Sequence, residues 1–196
     1  MSFRIEKKIY IDKKNFLEFK NFLLNKKTKK IFKERIINSV YFDNIKMQIY
    51  QDSTEGILPR KKIRIRTYPN TENSFFYFEK KISSVEGRYK SKKKISHKEC
   101  LKFLNEGTKD NQYGFCFPLL NVRYIRQYYQ LNDVRITIDN DIAYNLYKKD
   151  LIKKDLRSIV ELKCSISKNL DDLQKDFPFQ EIRFSKFSNG VEFFFN

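Results

Sequence analysis

Apolar and charged residues alternate along much of this chain with the period of two that belongs to a β-strand. Ile63 and Ile65 interleave with Lys62, Arg64 and Arg66, and Phe76 and Phe78 with Glu79 and Lys81. Val134, Ile136 and Ile138 interleave with Arg135 and Asp139, and Val160 and Leu162 with Glu161 and Lys163. Successive side chains of a strand point to opposite sides, so each segment has one greasy and one charged face. The pair Glu-x-Lys occurs three times, at Glu6 and Lys8, Glu79 and Lys81, and Glu161 and Lys163, each time with acid and base on the same side. Lys90, Lys92 and Lys94 share one side of a further strand.

This periodicity predicts about eight strands, near 3–11, 38–43, 59–68, 74–82, 88–95, 122–130, 134–143 and 157–165. Helices are expected at 13–24, capped by Asp12, and at 97–106, where Ser96 and Glu99 form a capping box. A further helix is expected at about 169–176, and a short helix or turn up to Tyr50. The lysine-rich stretches 25–33 and 148–154 read as loop and solvated surface, and Asn132-Asp133 as a two-residue hairpin turn. The Phe193 to Phe195 tail reads as core packing. Strands in succession, with helices only between or after them, give an α+β class. Its expected centre is an eight-stranded antiparallel β-barrel or tunnel with a charged interior, helices lying outside and at the ends.

Charge then narrows the partners. The 196 residues carry 41 Lys and Arg against 24 Asp and Glu, a formal net charge of +17, which calls for an anionic partner. One domain of this length can bury a sizeable core, which Phe and Tyr supply in the absence of Trp. Three cysteines without Cys-x-x-Cys spacing argue against a disulfide framework or a structural zinc site, and suit a reducing cytoplasm. No stretch approaches the roughly 18 apolar residues of a membrane span.

A sheet that keeps Lys, Arg, Glu and Asp on one side cannot bury them dry, because unpaired buried charge is costly. Both signs are what a triphosphate requires. Arg and Lys neutralise phosphate oxygens, and carboxylates hold the divalent metal that bridges them. Glu161 and Glu6 are the first candidates for the metal, Glu79 and Asp139 the next, with Mn²⁺ or Mg²⁺ as the hard cation. Five glycines, none in a phosphate-loop pattern, exclude a P-loop or Rossmann turn. The lone histidine, His97, opens a helix and is expected at the surface.

Taken in order, the motifs resemble the VTC domain, the catalytic module of vacuolar transporter chaperone polyphosphate polymerases in the triphosphate tunnel metalloenzyme superfamily. The likeness is carried by Arg4-x-Glu6-x-Lys8, Ser39-Val40-Tyr41-Phe42-Asp43-Asn44, Lys62-Ile63-Arg64-Ile65-Arg66-Thr67-Tyr68 and Phe78-Glu79-Lys80-Lys81. It continues through Tyr124-Ile125-Arg126, Arg135-Ile136-Thr137-Ile138-Asp139, Glu161-Leu162-Lys163 and Phe184-Ser185-Lys186-Phe187-Ser188-Asn189-Gly190. Arg4 departs from the superfamily's frequent glutamate, Arg183 from its frequent lysine and Asn140 from its usual threonine.

The resemblance implies that Lys8, Arg64, Arg66, Lys81, Arg126, Arg135 and Lys186 act on the phosphates. It adds Lys62, Lys163, Arg183, Ser185 and Lys94, or Lys92 on a shifted register, as further substrate contacts, and assigns the metal to the Glu161 position. It implies transfer of the γ-phosphate of ATP to a polyphosphate chain. Any coupling to transport of the product would need a membrane-associated partner. A triphosphatase or cyclase-like relative and a non-catalytic polyphosphate-binding module are the alternatives. Nucleic-acid binding through charge alone is a third alternative, with no specific nucleic acid expected.

Overall fold

The computed structural model describes residues 4–12, 14–69, 75–165 and 179–195, so the helix expected at about 169–176 lies outside the described residues. The strands are β1 (Arg4–Ile11), β2 (Lys29–Asp43), β3 (Arg60–Thr67), β4 (Phe76–Ser84), β5 (Gly87–Ile95), β6 (Thr108–Asp110), β7 (Gly114–Leu131), β8 (Val134–Leu146), β9 (Lys153–Asp155) and β10 (Ser158–Ser165). The helices are α1 (Phe16–Asn25), α2 (Gln48–Glu55), α3 (His97–Glu106) and α4 (Lys186–Phe195). The class is α+β with an antiparallel sheet, as the periodicity implied. Eight of the ten strands are the expected ones, and β6 and β9 are three-residue additions.

The chain divides into two compact units, the first formed by 1–35, 124–142 and 154–184, the second by 36–123, 143–153 and 185–196. The long strands β2, β7 and β8 run from one unit into the other. In the first unit the order is β1-β10-β8-β7, and in the second β2-β3-β4-β5, with β6 on β7. Neither path closes on itself among the described residues.

In the first unit the apolar parity forms the core. Ile9 and Ile11 of β1, Val134, Ile136 and Ile138 of β8, and Val160, Leu162 and Cys164 of β10 gather against Phe19 and Leu23 of α1. Each large aliphatic or aromatic side chain withdrawn from water there contributes about 1.5–3 kcal/mol. That burial fixes the register, because a slip of one residue would exchange the greasy face for the charged one. Helix α1 begins at Phe16, three residues later than expected, and Asp12 accepts from the Asn15 amide (2.8 Å).

In the second unit Ile63 and Ile65 are buried, and Phe78 stacks on Phe103 of α3 at 4.8 Å. Helix α3 starts where the capping box placed it. The Ser96 hydroxyl accepts from the Glu99 amide (3.1 Å), and the Glu99 carboxylate accepts from the Ser96 amide (2.8 Å). Two expectations are corrected. The lysine-rich segment 25–33 is not all loop, because β2 starts at Lys29. The run 148–154 contributes the start of β9, where Lys153 donates to the Phe193 carbonyl oxygen. Residues Lys186–Phe195 form helix α4, for which no element was expected, with Gly190 in its interior. A Cβ at Gly190 would come within 2.5 Å of the Tyr144 ring and 2.6 Å of Leu120, so glycine is what lets α4 pack so closely. All three cysteines are free and buried, in line with the absence of a disulfide framework.

Candidate functional site

The first unit pairs its charges across strands. Register sets Glu6 opposite Lys163, Lys8 opposite Glu161, and Glu161 opposite Thr137. The Lys163 ammonium lies 2.6 Å from Glu161 and 3.8 Å from Glu6, and Lys8 lies 3.8 Å from Glu6. Lys8 also donates to the Phe184 carbonyl oxygen at 2.7 Å, tying β1 to the segment before α4. Arg126 forks onto Asp139, at 2.5 and 2.7 Å, and reaches Glu161 at 3.8 Å. Asp139 is fully buried, and both its oxygens accept from this guanidinium. Burial works against ionisation of Glu161, but Arg126, Lys163 and Lys8 outweigh it and hold its carboxyl far below the ordinary carboxylate range. Arg135 stands opposite Lys163, exposed, with its guanidinium 5.6 Å from the Tyr128 ring centre.

The second unit surrounds one acid with bases. Glu79 is 1% exposed and accepts from Arg64 at 2.6 and 2.8 Å. Lys90 lies 2.8 Å from its other oxygen and Arg66 3.8 Å away. Burial raises the Glu79 pKa, but Arg64, Arg66 and Lys90 override it and bring it down to about 2. On the far side of Arg64 the Tyr41 hydroxyl accepts at 2.8 Å, and Arg66 donates to Ser39 at 3.2 Å. Tyr41 in turn stacks on Phe187 of α4 at 5.2 Å. The next row sets Lys62, Lys81 and Lys90 side by side across three strands, and the Glu79 carboxylate offsets part of their mutual repulsion through Lys90. Lys62 donates to the Ser185 hydroxyl at 2.6 Å, just ahead of Lys186, the first residue of α4.

Of the residues singled out from sequence, Glu6, Lys8, Arg126, Asp139, Glu161 and Lys163 thus meet in the first unit, with Arg135 beside them. Lys62, Arg64, Arg66, Glu79, Lys81 and Ser185 meet in the second. Lys92 and Lys94 lie over aromatic rings, at 3.6 Å from the Tyr77 centroid and 3.1 Å from that of Phe75. Arg183 is exposed. Ser39, Tyr41 and Lys90 were not among the expected site residues, although they share the parity of the charged face. His97 is exposed, as expected.

Among the described residues, no three carboxylate, thiol or imidazole groups converge. A cation caged by protein alone does not fit them. Glu6 and Glu161, which share Lys163, fit a hard cation that completes its shell with water and phosphate oxygens. Among the described residues, no helix is long and apolar enough to cross a membrane.

The model of the VTC domain family matches residues 3–114 and 111–195. No curated protein matches the chain in sequence. A solved protein from Pyrococcus horikoshii OT3 is similar with a TM-score of 0.63 and 13% identity, over 97% of this chain and 99% of that one. A putative adenylate cyclase from Bacillus halodurans has a TM-score of 0.62 and 14% identity, over 100% and 98% of the two chains. A putative adenylyl cyclase from Hippeastrum, described as having a dominant triphosphatase activity, has a TM-score of 0.58 and 14% identity, over 97% and 96%. At such identities the likeness concerns the fold. The chain belongs to the VTC domain family.

Proposed function

We propose that the protein is a metal-dependent enzyme that transfers the γ-phosphate of ATP to a polyphosphate chain. The observation that carries this reading is the pairing of Glu161 with Arg126 and Lys163 inside a family match that spans nearly the whole chain. Arg64, Arg66, Lys62, Lys81, Lys186, Lys92 and Lys94 of the second unit, and Lys8, Arg126, Arg135, Lys163 and Arg183 of the first, bind phosphate oxygens. Ser185 donates a hydrogen bond there. Glu161 and Glu6 would hold a divalent cation, Mn²⁺ or Mg²⁺; Glu79 and Asp139, the other acids considered for it, are taken up by Arg64, Lys90 and Arg126 and serve to position those bases. When bound, that cation draws negative charge off the phosphates being separated.

Transfer asks little covalent chemistry of the protein and much positioning. Tyr41 and Glu79 pin the Arg64 guanidinium from two sides, so its fork meets the phosphate without first ordering itself. Asp139 does the same for Arg126. The setting proposed is cytoplasmic, with any export of product left to a membrane-associated partner.

Incubation of the protein with ATP and Mn²⁺ tests the reading. Polyphosphate and ADP are expected. Inorganic phosphate without chains would favour the triphosphatase reading, which the activity described for the Hippeastrum protein supports. Tight polyphosphate binding without turnover in any divalent metal would favour a binding module instead.

A further inference from the structure

The charged face of β3, β4 and β5 changes character along its length. The row of Lys62, Lys81 and Lys90 holds only cations, and the row of Arg64, Glu79 and Lys92 is mixed. The row of Arg66, Tyr77 and Lys94 brings in an aromatic ring, and Tyr68 follows Arg66 at the same parity. Tyr68 and Tyr77 meet edge to face, centroids 6.0 Å apart at 71°. The Lys92 ammonium lies 3.6 Å from the Tyr77 centroid and 5.9 Å from that of Tyr68. Both tyrosines are half-buried and Lys92 is exposed.

Phosphate has no use for an aromatic ring, whereas a nucleobase does. We propose that this aromatic end is the subsite for the base of a nucleoside triphosphate, which stacks on Tyr77 and Tyr68 while its phosphates run toward Arg64 and Lys62. The inference rests on the reading of this face as a triphosphate site, and adds to it a polarity and a preference for nucleotides over inorganic chains. Stacking a base on an aromatic side chain is favourable whichever base is offered, so the subsite distinguishes nucleotides from inorganic chains rather than ATP from GTP. Lys92, resting on the ring by cation–π attraction, swings onto a phosphate oxygen as the base takes its place. The stem of a lysine merely covering a tyrosine would give the same contacts, and the two cases separate in solution.

The test measures dissociation constants for ATP and for inorganic tripolyphosphate, with Mg²⁺, in the wild-type protein and in Tyr77→Ser, Tyr68→Ser and Tyr77→Phe. Tyr77→Ser is expected to weaken ATP binding by about 5-fold or more and to change tripolyphosphate binding by less than about 2-fold. Tyr68→Ser shifts the ratio in the same direction, and Tyr77→Phe, which keeps the ring, restores it. If Tyr77→Ser is misfolded, the Tyr68→Ser ratio decides. Equal losses for both ligands, or an unchanged ATP affinity, would overturn the base subsite while leaving the triphosphate reading in place. A wild-type protein that binds neither ligand would defeat that underlying reading.

Discussion

The two units present charged faces of different composition. In the first, Glu6, Asp139 and Glu161 nearly balance Lys8, Arg126, Arg135 and Lys163, and most of these groups pair at close range. In the second, Glu79 alone among the described acids of that face stands with Lys62, Arg64, Arg66, Lys81, Lys90, Lys92 and Lys94. Near balance suits a face that must hold a cation and an anion at once. An excess of base suits one that only neutralises phosphate. The comparison therefore separates chemistry from binding: carboxylate changes in the first unit are expected to remove turnover, and cation changes in the second to weaken affinity.

The largest effect is expected from Glu161→Gln, which keeps the side chain's shape and loses its charge. Turnover with ATP and Mn²⁺ should fall by about 100-fold or more, since metal stabilisation of the reacting phosphates is worth several kcal/mol. Next comes Glu79→Ala, which leaves Arg64, Arg66 and Lys90 facing one another. Breaking a buried pair in this way destabilises by about 3 kcal/mol, to be read from denaturant unfolding. A protein as stable as wild type would mean that the second face does not need its acid. Arg64→Ala should then weaken tripolyphosphate binding by about 1.5–3 kcal/mol, the worth of charge-assisted hydrogen bonds, as titration calorimetry would show.

Acid gives a subtler readout of the same hub. The Glu79 pKa lies at about 2 in the folded protein against an ordinary 4.5, so its ionised form adds stability above 4.5. That contribution declines as pH falls from 4.5 through about 2, and Glu79→Gln should flatten the decline in an unfolding profile. The smallest effect is expected from Lys90→Ala. Its side chain is 47% exposed, so its ion pair with Glu79 is worth no more than about 1 kcal/mol in stability.

Much of the fold was legible because burial imposes period two on a strand. Val134, Ile136 and Ile138 against Arg135 and Asp139 gave β8 and both its faces, and Ser96 with Glu99 gave the start of α3. The start of β2 was not legible. Residues 29–36 are mostly charged or exposed on both sides, so no alternation betrays the strand, which is defined by its pairing. Helix α4 was not legible, and the close approach of Tyr144 and Leu120 accounts for the glycine in its interior. At the site, the ionic residues were legible one strand at a time, since Glu-x-Lys fixes a shared face. Their partners were not. That Glu79 binds Arg64 and Lys90, and that Tyr41 supports Arg64, depends on cross-strand register, which no local pattern encodes.

The division of labour between the two faces is tested most directly on one sample of Glu161→Gln. Tripolyphosphate affinity is measured in a chelator and ATP turnover in Mn²⁺, each beside wild type. Affinity close to wild type together with lost turnover is the predicted result. Turnover that survives in Glu161→Gln, or anion affinity that disappears with it, would contradict the assignment of the metal chemistry to Glu161 and of phosphate binding to the lysines and arginines.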